Sequence, residues 1–305
     1  MFKIILLFAL ITQITGLAQD ILPKWPDVNY AGDTLVGHRL DIYLPQQNAK
    51  HSRVAVIIYG SAWFADNRKK QSFELFGPAL LKAGFAVVAI NHRSSRKAIF
   101  PAQVHDTKAA IRFLRGNAER FSLDSSFVAV IGNSSGGHLA AFLGTSGKIK
   151  RHSVGEVTIP IEGNLGKFTN MSSSVDAVVD WYGPTNFQAM DSCGSQMNHD
   201  AADSPESTLI GGPIQENGER CALANPTTYV DATDPPFLII HGNADPLVPP
   251  CQSEMLHQAL QQQKVTSELI VVADAKHGPG LHESAYFEKM THFLLNALDE
   301  KRNKK

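Results

Sequence analysis

Gly132-Asn133-Ser134-Ser135-Gly136 spells G-x-S-x-G, a pattern able to present a serine hydroxyl as a nucleophile. Such a hydroxyl attacks an acyl carbon only when a base takes its proton and an acid orients that base. The letters alone are weak, because a glycine-rich turn before a helix gives the same match. Their setting is stronger. A run rich in β-branched residues, 127–132, leads in, and a small-residue helical pattern, 135–144, leads out. This strand–turn–helix setting is the one a nucleophile elbow requires, with glycines relieving the crowding around a strained serine backbone. The overlapping sequon Asn133-Ser134-Ser135 is discarded as a glycosylation signal, because the elbow makes it inaccessible.

The acid and the base follow the nucleophile in chain order when the scaffold is an α/β-hydrolase. Asp245 lies in the loop after the apolar run 236–241, whereas Asp231 and Asp234 precede that run and fall at the wrong edge. Asp274, after the next strand, is the rival. For the base, His257 and His292 sit inside helical patterns. His277 directly follows the last strand run, where a short loop returns it to Ser134, while His282 is nearer the final helix. The expected catalytic set is Ser134, Asp245 and His277. The oxyanion needs N–H donors, each worth about 3 kcal/mol. The backbone N–H of Ser135 is one, and those of Ser61 and Ala62 in Tyr59-Gly60-Ser61-Ala62-Trp63 are the others.

The elements that must hold these residues alternate in type. Runs 53–59, 85–91, 127–132, 175–181, 236–241 and 267–273 are short and apolar throughout, as in strands buried on both faces. Helical patterns lie between them at 73–82, 104–115, 135–144, 252–263 and 284–298. Alternation of this kind predicts an α/β fold with a mostly parallel, doubly wound sheet. Residues 37–44 alternate apolar and polar and read as an antiparallel edge strand. Two stretches break the rhythm, 146–174 and 183–234, both rich in Gly, Pro, Asn and Ser; they are expected to form a small cap over the sheet's C-terminal edge. The organisation expected is a leader at 1–18 and one catalytic domain at 19–305.

Composition removes other functions. With 43% hydrophobic and 19% charged residues the chain is a globular protein, and a formal charge of −1 gives no basic field for nucleic acid. Lys3 followed by an apolar run to Ile11 and small residues before Gln19 read as a secretory signal peptide. That run is far short of the roughly 20 residues a membrane span needs, so no stable membrane insertion is expected. The expected location is outside the cytoplasm, secreted or periplasmic. Three cysteines, Cys193, Cys221 and Cys251, allow one disulfide with one free thiol, or none; whether Cys193 pairs with Cys221 stays open. Neither they nor the 12 histidines show metal-ligand spacing, so no metal and no cofactor is expected.

Taken in order, the loop Tyr59–Trp63, Phe100-Pro101-Ala102-Gln103 leading to Asp106, the elbow with its Gly-Gly-His138 tail, Asp180-Trp181-Tyr182-Gly183-Pro184 and HGNADPLVP resemble the bifunctional acetyl/feruloyl esterases. These belong with the hormone-sensitive-lipase-like esterases, whose H-G-G-G-W loop is replaced here by Tyr59-Gly60-Ser61-Ala62-Trp63. The resemblance covers most of the mature chain. It implies a carbohydrate or phenolic ester as substrate, with acetyl or feruloyl groups removed from plant polysaccharides. Trp63, Glu162, Trp181 and Tyr182 are candidate substrate contacts, the aromatic faces stacking on sugars or aryl acids. Rival readings are a general short-chain carboxylesterase or lipase and a prolyl-oligopeptidase-type peptidase. The lipase lacks support from an amphipathic lid, and the peptidase from a second recognition domain.

Overall fold

A computed structural model describes residues 21–46 and 50–303, so the leader expected at 1–18 and the start at Gln19 lie outside the described residues. The chain runs β1 (Trp25–Asn29), β2 (Arg39–Tyr43), β3 (Ser52–Ile58), α1 (Lys69–Lys82), β4 (Ala86–Ile90), α2 (Ala102–Gly116), β5 (Leu123–Asn133) and α3 (Ser135–Thr145). It continues with β6 (Arg151–Val154), β7 (Val157–Pro160), β8 (Ala177–Trp181), α4 (Pro205–Ile210), α5 (Gly218–Ala224), β9 (Phe237–Gly242), α6 (Cys251–Gln262), β10 (Ser267–Val272) and α7 (Ser284–Asn303).

One eight-stranded sheet takes the order β1-β2-β4-β3-β5-β8-β9-β10. Pairings from β4 to β10 are parallel, and β2 joins antiparallel to both β1 and β4. The strands are apolar on both faces because both faces are covered. In β3, Val54, Val56 and Ile58 enter the core under α2 and α3, while Ala55 and Ile57 enter the core under α1 and α7. This is the doubly wound sheet that the alternating runs predict.

Residues 37–44 depart from expectation in one respect. β2 is an inner strand, and the edge is β1. Pro26 and a register shift between Trp25 and Val28 hide β1 from a search for alternation. The two irregular stretches also contain regular structure: a β6–β7 hairpin turning at Gly155 (φ 54°), and the short helices α4 and α5. They do not roof the catalytic edge. Leu209, Ile210, Ile214, Leu223 and Tyr229 extend the core on the α3 side, and the Tyr229 ring touches Phe142 of α3 and His152 of β6 at centroid distances of 4.9 Å. Their apolar residues decide this outcome, since an apolar surface that size is buried on the core before it is spent on a lid.

Candidate active site

β5 delivers Ser134 at the centre of the sheet. Its backbone is left-handed (φ 54°, ψ −127°), a strained state that sets the side chain above the strand ends. Neighbouring glycines make the turn sterically possible. A Cβ on Gly132 would lie 2.0 Å from Gly136 O, one on Gly136 2.3 Å from Ile58 O, and one on Gly60 2.8 Å from the Ser134 Cβ. Helix α3 begins at the next residue, so the Ser135 N–H is one of the helix's orphan donors.

His277 and Asp245 meet Ser134 from the loops after β10 and β9. His277 Nε2 is 2.9 Å from Ser134 Oγ, and His277 Nδ1 is 2.7 Å from Asp245 Oδ2. A carboxylate only accepts, so Nδ1 carries the proton and Nε2 is left to accept from the serine hydroxyl. Burial pushes the Asp245 carboxyl up. Hydrogen bonds from His241 and His277 and from the Leu247 N–H overcome this and hold it well below the usual carboxylate range. The acid is thus ionised throughout any ordinary assay. Asp274, the rival, is exposed and lies outside this constellation.

The oxyanion donors divide. Gly60, Ser61 and Ala62 all line the pocket beside Ser134. The Ser61 N–H, expected to face the oxyanion, instead donates to Ser135 Oγ at 2.8 Å, because the hydroxyl of the residue after the nucleophile reaches across to it. Ala62 is left-handed (φ 51°) and its N–H has no hydrogen-bond partner among the described residues. Ala62 and Ser135 are therefore the available pair.

Three of the expected substrate contacts are structural. Trp63 is buried, with its indole N–H donating to His138 Nδ1 at 3.2 Å and its ring against Phe187. Trp181 ends β8 on the opposite face, packed on Phe76 and Phe287. Neither lines the pocket. Glu162 is the counter-ion of two fully buried cations, Lys108 and Arg112, and accepts from Ser173 at 2.6 Å. Taking those cations from water without it would be costly, which accounts for an acidic residue in the 146–174 stretch. Tyr182 alone is placed at the site: its ring meets His277 edge-on at 4.7 Å and its hydroxyl lies 2.9 Å from His282 Nε2.

Sequence reasoning missed several contributors. Leu247 and the 278–283 segment line the pocket, of about 570 Å³, and no residue of 146–174 or 183–234 does. His241 sits 3.4 Å from Asp245 Oδ2 and donates from Nε2 to Val248 O at 2.8 Å, fixing the acid loop. Its position as the last histidine of an apolar strand was the available signal. Cys193 and Cys251 form a disulfide, leaving Cys221 free and buried.

A central parallel sheet with a nucleophile elbow after β5, an acid after β9 and a histidine after β10 defines an α/β-hydrolase with a Ser–His–Asp arrangement. Residues 40–260 match the BD-FAE family, and the chain belongs to it. That match contains Ser134 and Asp245 and ends before His277. A truncated carbohydrate esterase from gut microbiota is 45% identical, with a TM-score of 0.88 over 92% of this chain and 98% of that one. A bifunctional GH43-CE protein of Bacteroides eggerthii is 47% identical, with a TM-score of 0.85 over 90% of this chain and 38% of its own. Esterase LipQ of Mycobacterium tuberculosis is 27% identical over 73% of this chain and 49% of its length. The chain thus spans about half the length of that curated relative.

Proposed function

We propose that this chain is an exported serine esterase that removes acetyl groups from plant polysaccharide side chains through an acyl-enzyme. The observation that carries the chemistry is the hydrogen-bonded Ser134–His277–Asp245 chain, at 2.9 and 2.7 Å. Ser134 Oγ attacks the ester carbonyl carbon as its proton passes to His277 Nε2. The Ala62 and Ser135 N–H groups stabilise the developing oxyanion. The alcohol then leaves with the proton from His277, and water, activated by the same nitrogen, releases the acid. Asp245, ionised, stabilises the imidazolium at each stage.

The carbohydrate assignment draws support from the carbohydrate esterase at 45% identity. Acetyl is preferred to feruloyl on the fate of the tryptophans. With Trp63 and Trp181 both in the core, neither offers its indole face to an aryl acid at the pocket. Leu247, 42% exposed, forms an apolar wall of the pocket together with Ala62, Pro279 and the Tyr182 ring. Such a wall accommodates a methyl group but offers little along a long chain.

A panel of acetylated xylan, methyl ferulate and nitrophenyl esters of increasing length tests this reading. Rates are expected to be highest for acetyl to butyryl groups and to fall at least tenfold by about eight carbons, some 1.4 kcal/mol of lost transition-state binding. A rate that climbs with chain length would replace it with the lipase reading. Ser134→Ala should lose on the order of 10⁴–10⁶ in rate with an unchanged fold. Mass spectrometry of the exported protein should find Gln19 at its N-terminus.

A further inference from the structure

Beside the triad pocket lies a second cavity of about 360 Å³, within the size range of ligand sites. The two share Gly60, Asn133 and His282 as a common wall, so a molecule bridging them passes directly beside the nucleophile. The far side is the first turns of α1, from which Gln71, Glu74 and Leu75 face the cavity.

We propose that this cavity binds the neutral sugar ring carrying the ester, as the alcohol subsite of the enzyme; the inference rests on the carbohydrate-ester reading above. Its wall carries the Gln71 and Asn133 amides, the Glu74 carboxylate and the His282 imidazole, with Leu75 and Tyr59 as apolar patches. A fatty or aryl group lodged there would strip water from these groups and return no hydrogen bond. A polyol returns one for each water displaced, and its C–H face can rest on Leu75. Gln71 and Glu74 are exposed; Arg68 donates to Gln71 Oε1 at 3.2 Å, which leaves the Gln71 amide N–H groups for substrate, and the partner nearest Glu74 is the solvent-facing Lys70 at 3.7 Å.

The shared wall is polarised toward a hydroxyl. Burial pushes the Tyr182 phenol up, so it keeps its proton, and burial together with the nearby His277 pushes the His282 imidazole down, so it is neutral. The Tyr182 hydroxyl is hydrogen-bonded to His282 Nε2 at 2.9 Å, with the Asn133 amide 3.5 Å from the same phenol oxygen. His282 Nδ1 has no hydrogen-bond partner among the described residues, and a sugar hydroxyl, both donor and acceptor, can pair with it. The Glu74 carboxylate gives the subsite a sign: neutral sugars are admitted and uronates repelled.

The test compares nitrophenyl acetate with acetylated xylo-oligosaccharides, neutral and glucuronate-bearing. In Gln71→Ala/Glu74→Ala, the ratio of kcat/KM on the neutral oligosaccharide to that on nitrophenyl acetate should fall at least tenfold, mainly through KM. Glu74→Gln should raise the relative rate on the glucuronate-bearing substrate severalfold, a gain that a damaged fold would not produce. If wild type cleaves the neutral oligosaccharide and neither ratio moves, the subsite is refuted and the esterase reading stands. If wild type cleaves nitrophenyl acetate but no oligosaccharide ester, the carbohydrate reading falls and the subsite with it.

Discussion

The loop carrying the acid and the loop carrying the base leave neighbouring parallel strands, yet they are held by opposite means. The acid loop is gripped from outside. Cys251 is joined to Cys193, Gln196 N–H donates to Pro246 O at 2.8 Å, and His199 and Ser195 both reach Leu247 O at 2.9 Å. His199 is itself fixed by Glu206 at 2.9 Å, so the irregular 183–234 stretch works as a clamp. The base loop is held mainly from within. Lys276 N–H returns to Pro279 O at 2.8 Å, Leu281 N–H to Gly278 O at 3.0 Å, and Gly278 and Gly280 take φ of 104° and 85°. The acid must stay still while its charge does the work, and remote attachment supplies that. The base has to pass a proton between two partners, and a compact turn places it. Its outside ties are few, to the acid loop through Asp274 N–H on Asn243 Oδ1 at 2.7 Å and Ala244 N–H on Ala275 O at 3.0 Å, and to Tyr182 through His282.

Exchanging the carboxylates of the two loops is the most severe way to break this comparison. Asp245→Asn should cost on the order of 10⁴-fold in kcat by favouring the wrong tautomer of His277. Asp274→Asn, in the base loop, should stay within about twofold, an exposed change of the kind that rarely matters. Steady-state kinetics on nitrophenyl acetate decide between them, and the reverse result would move the acid to the other loop.

Unclamping comes next. Cys193 and Cys251 are 58 residues apart, so Cys251→Ser removes a constraint worth about 4 kcal/mol on chain-entropy grounds. Denaturant titration should show that loss, together with a fall in kcat smaller than that of Asp245→Asn. Unaltered stability would mean the clamp is redundant. A smaller effect is expected from the self-contained loop. At Gly280 a side chain meets Ala275 Cβ at 3.0 Å and a left-handed backbone, so Gly280→Ala should cost roughly 1–3 kcal/mol of local strain. It should lower activity about tenfold or more and lower the melting temperature by a few degrees, less than the loss of the disulfide does.

The smallest effect lies beneath both loops, at the end of β8. Asp180 is fully buried, accepts from the Gly183 N–H at 2.9 Å, and has its carboxyl pushed up to about 7 by burial. The folded chain therefore keeps a proton that the unfolded chain releases near pH 4, and stability should fall as pH rises from about 4 to about 7. Asp180→Asn should remove part of that slope and raise the melting temperature at pH 8 by a few degrees, about what one kcal/mol gives in a chain of this size. An unchanged slope would show that Asp180 is ionised in the fold.

The triad was legible because each member follows a strand whose apolar run marks its end, and the chain order of the fold supplies the rest. Which face a strand-end residue takes was not legible. Asp180, Trp181 and Tyr182 are consecutive, yet one lies under the elbow, one in the α1/α7 core and one against His277. The structural role of Glu162 depends on the buried Lys108 and Arg112, some 50 residues away, which no local pattern joins to it. The clamp was hidden for the same reason, since its parts are brought together only by how 183–234 folds.

Cys221 gives this last arrangement a consequence for how the molecule matures. Any two of the three sulfurs could pair in an unfolded chain, and two of the three outcomes are errors. Once α5 is in place, Cys221 is sealed in the core and burial, with the nearby Glu206, pushes its thiol up to about 12. A thiolate is the attacking species in disulfide exchange, so the native bridge has no internal attacker. The third cysteine thus serves as a built-in clock: alkylating agents that spare the native chain will mark it only when that core opens, and the rate of labelling times the opening.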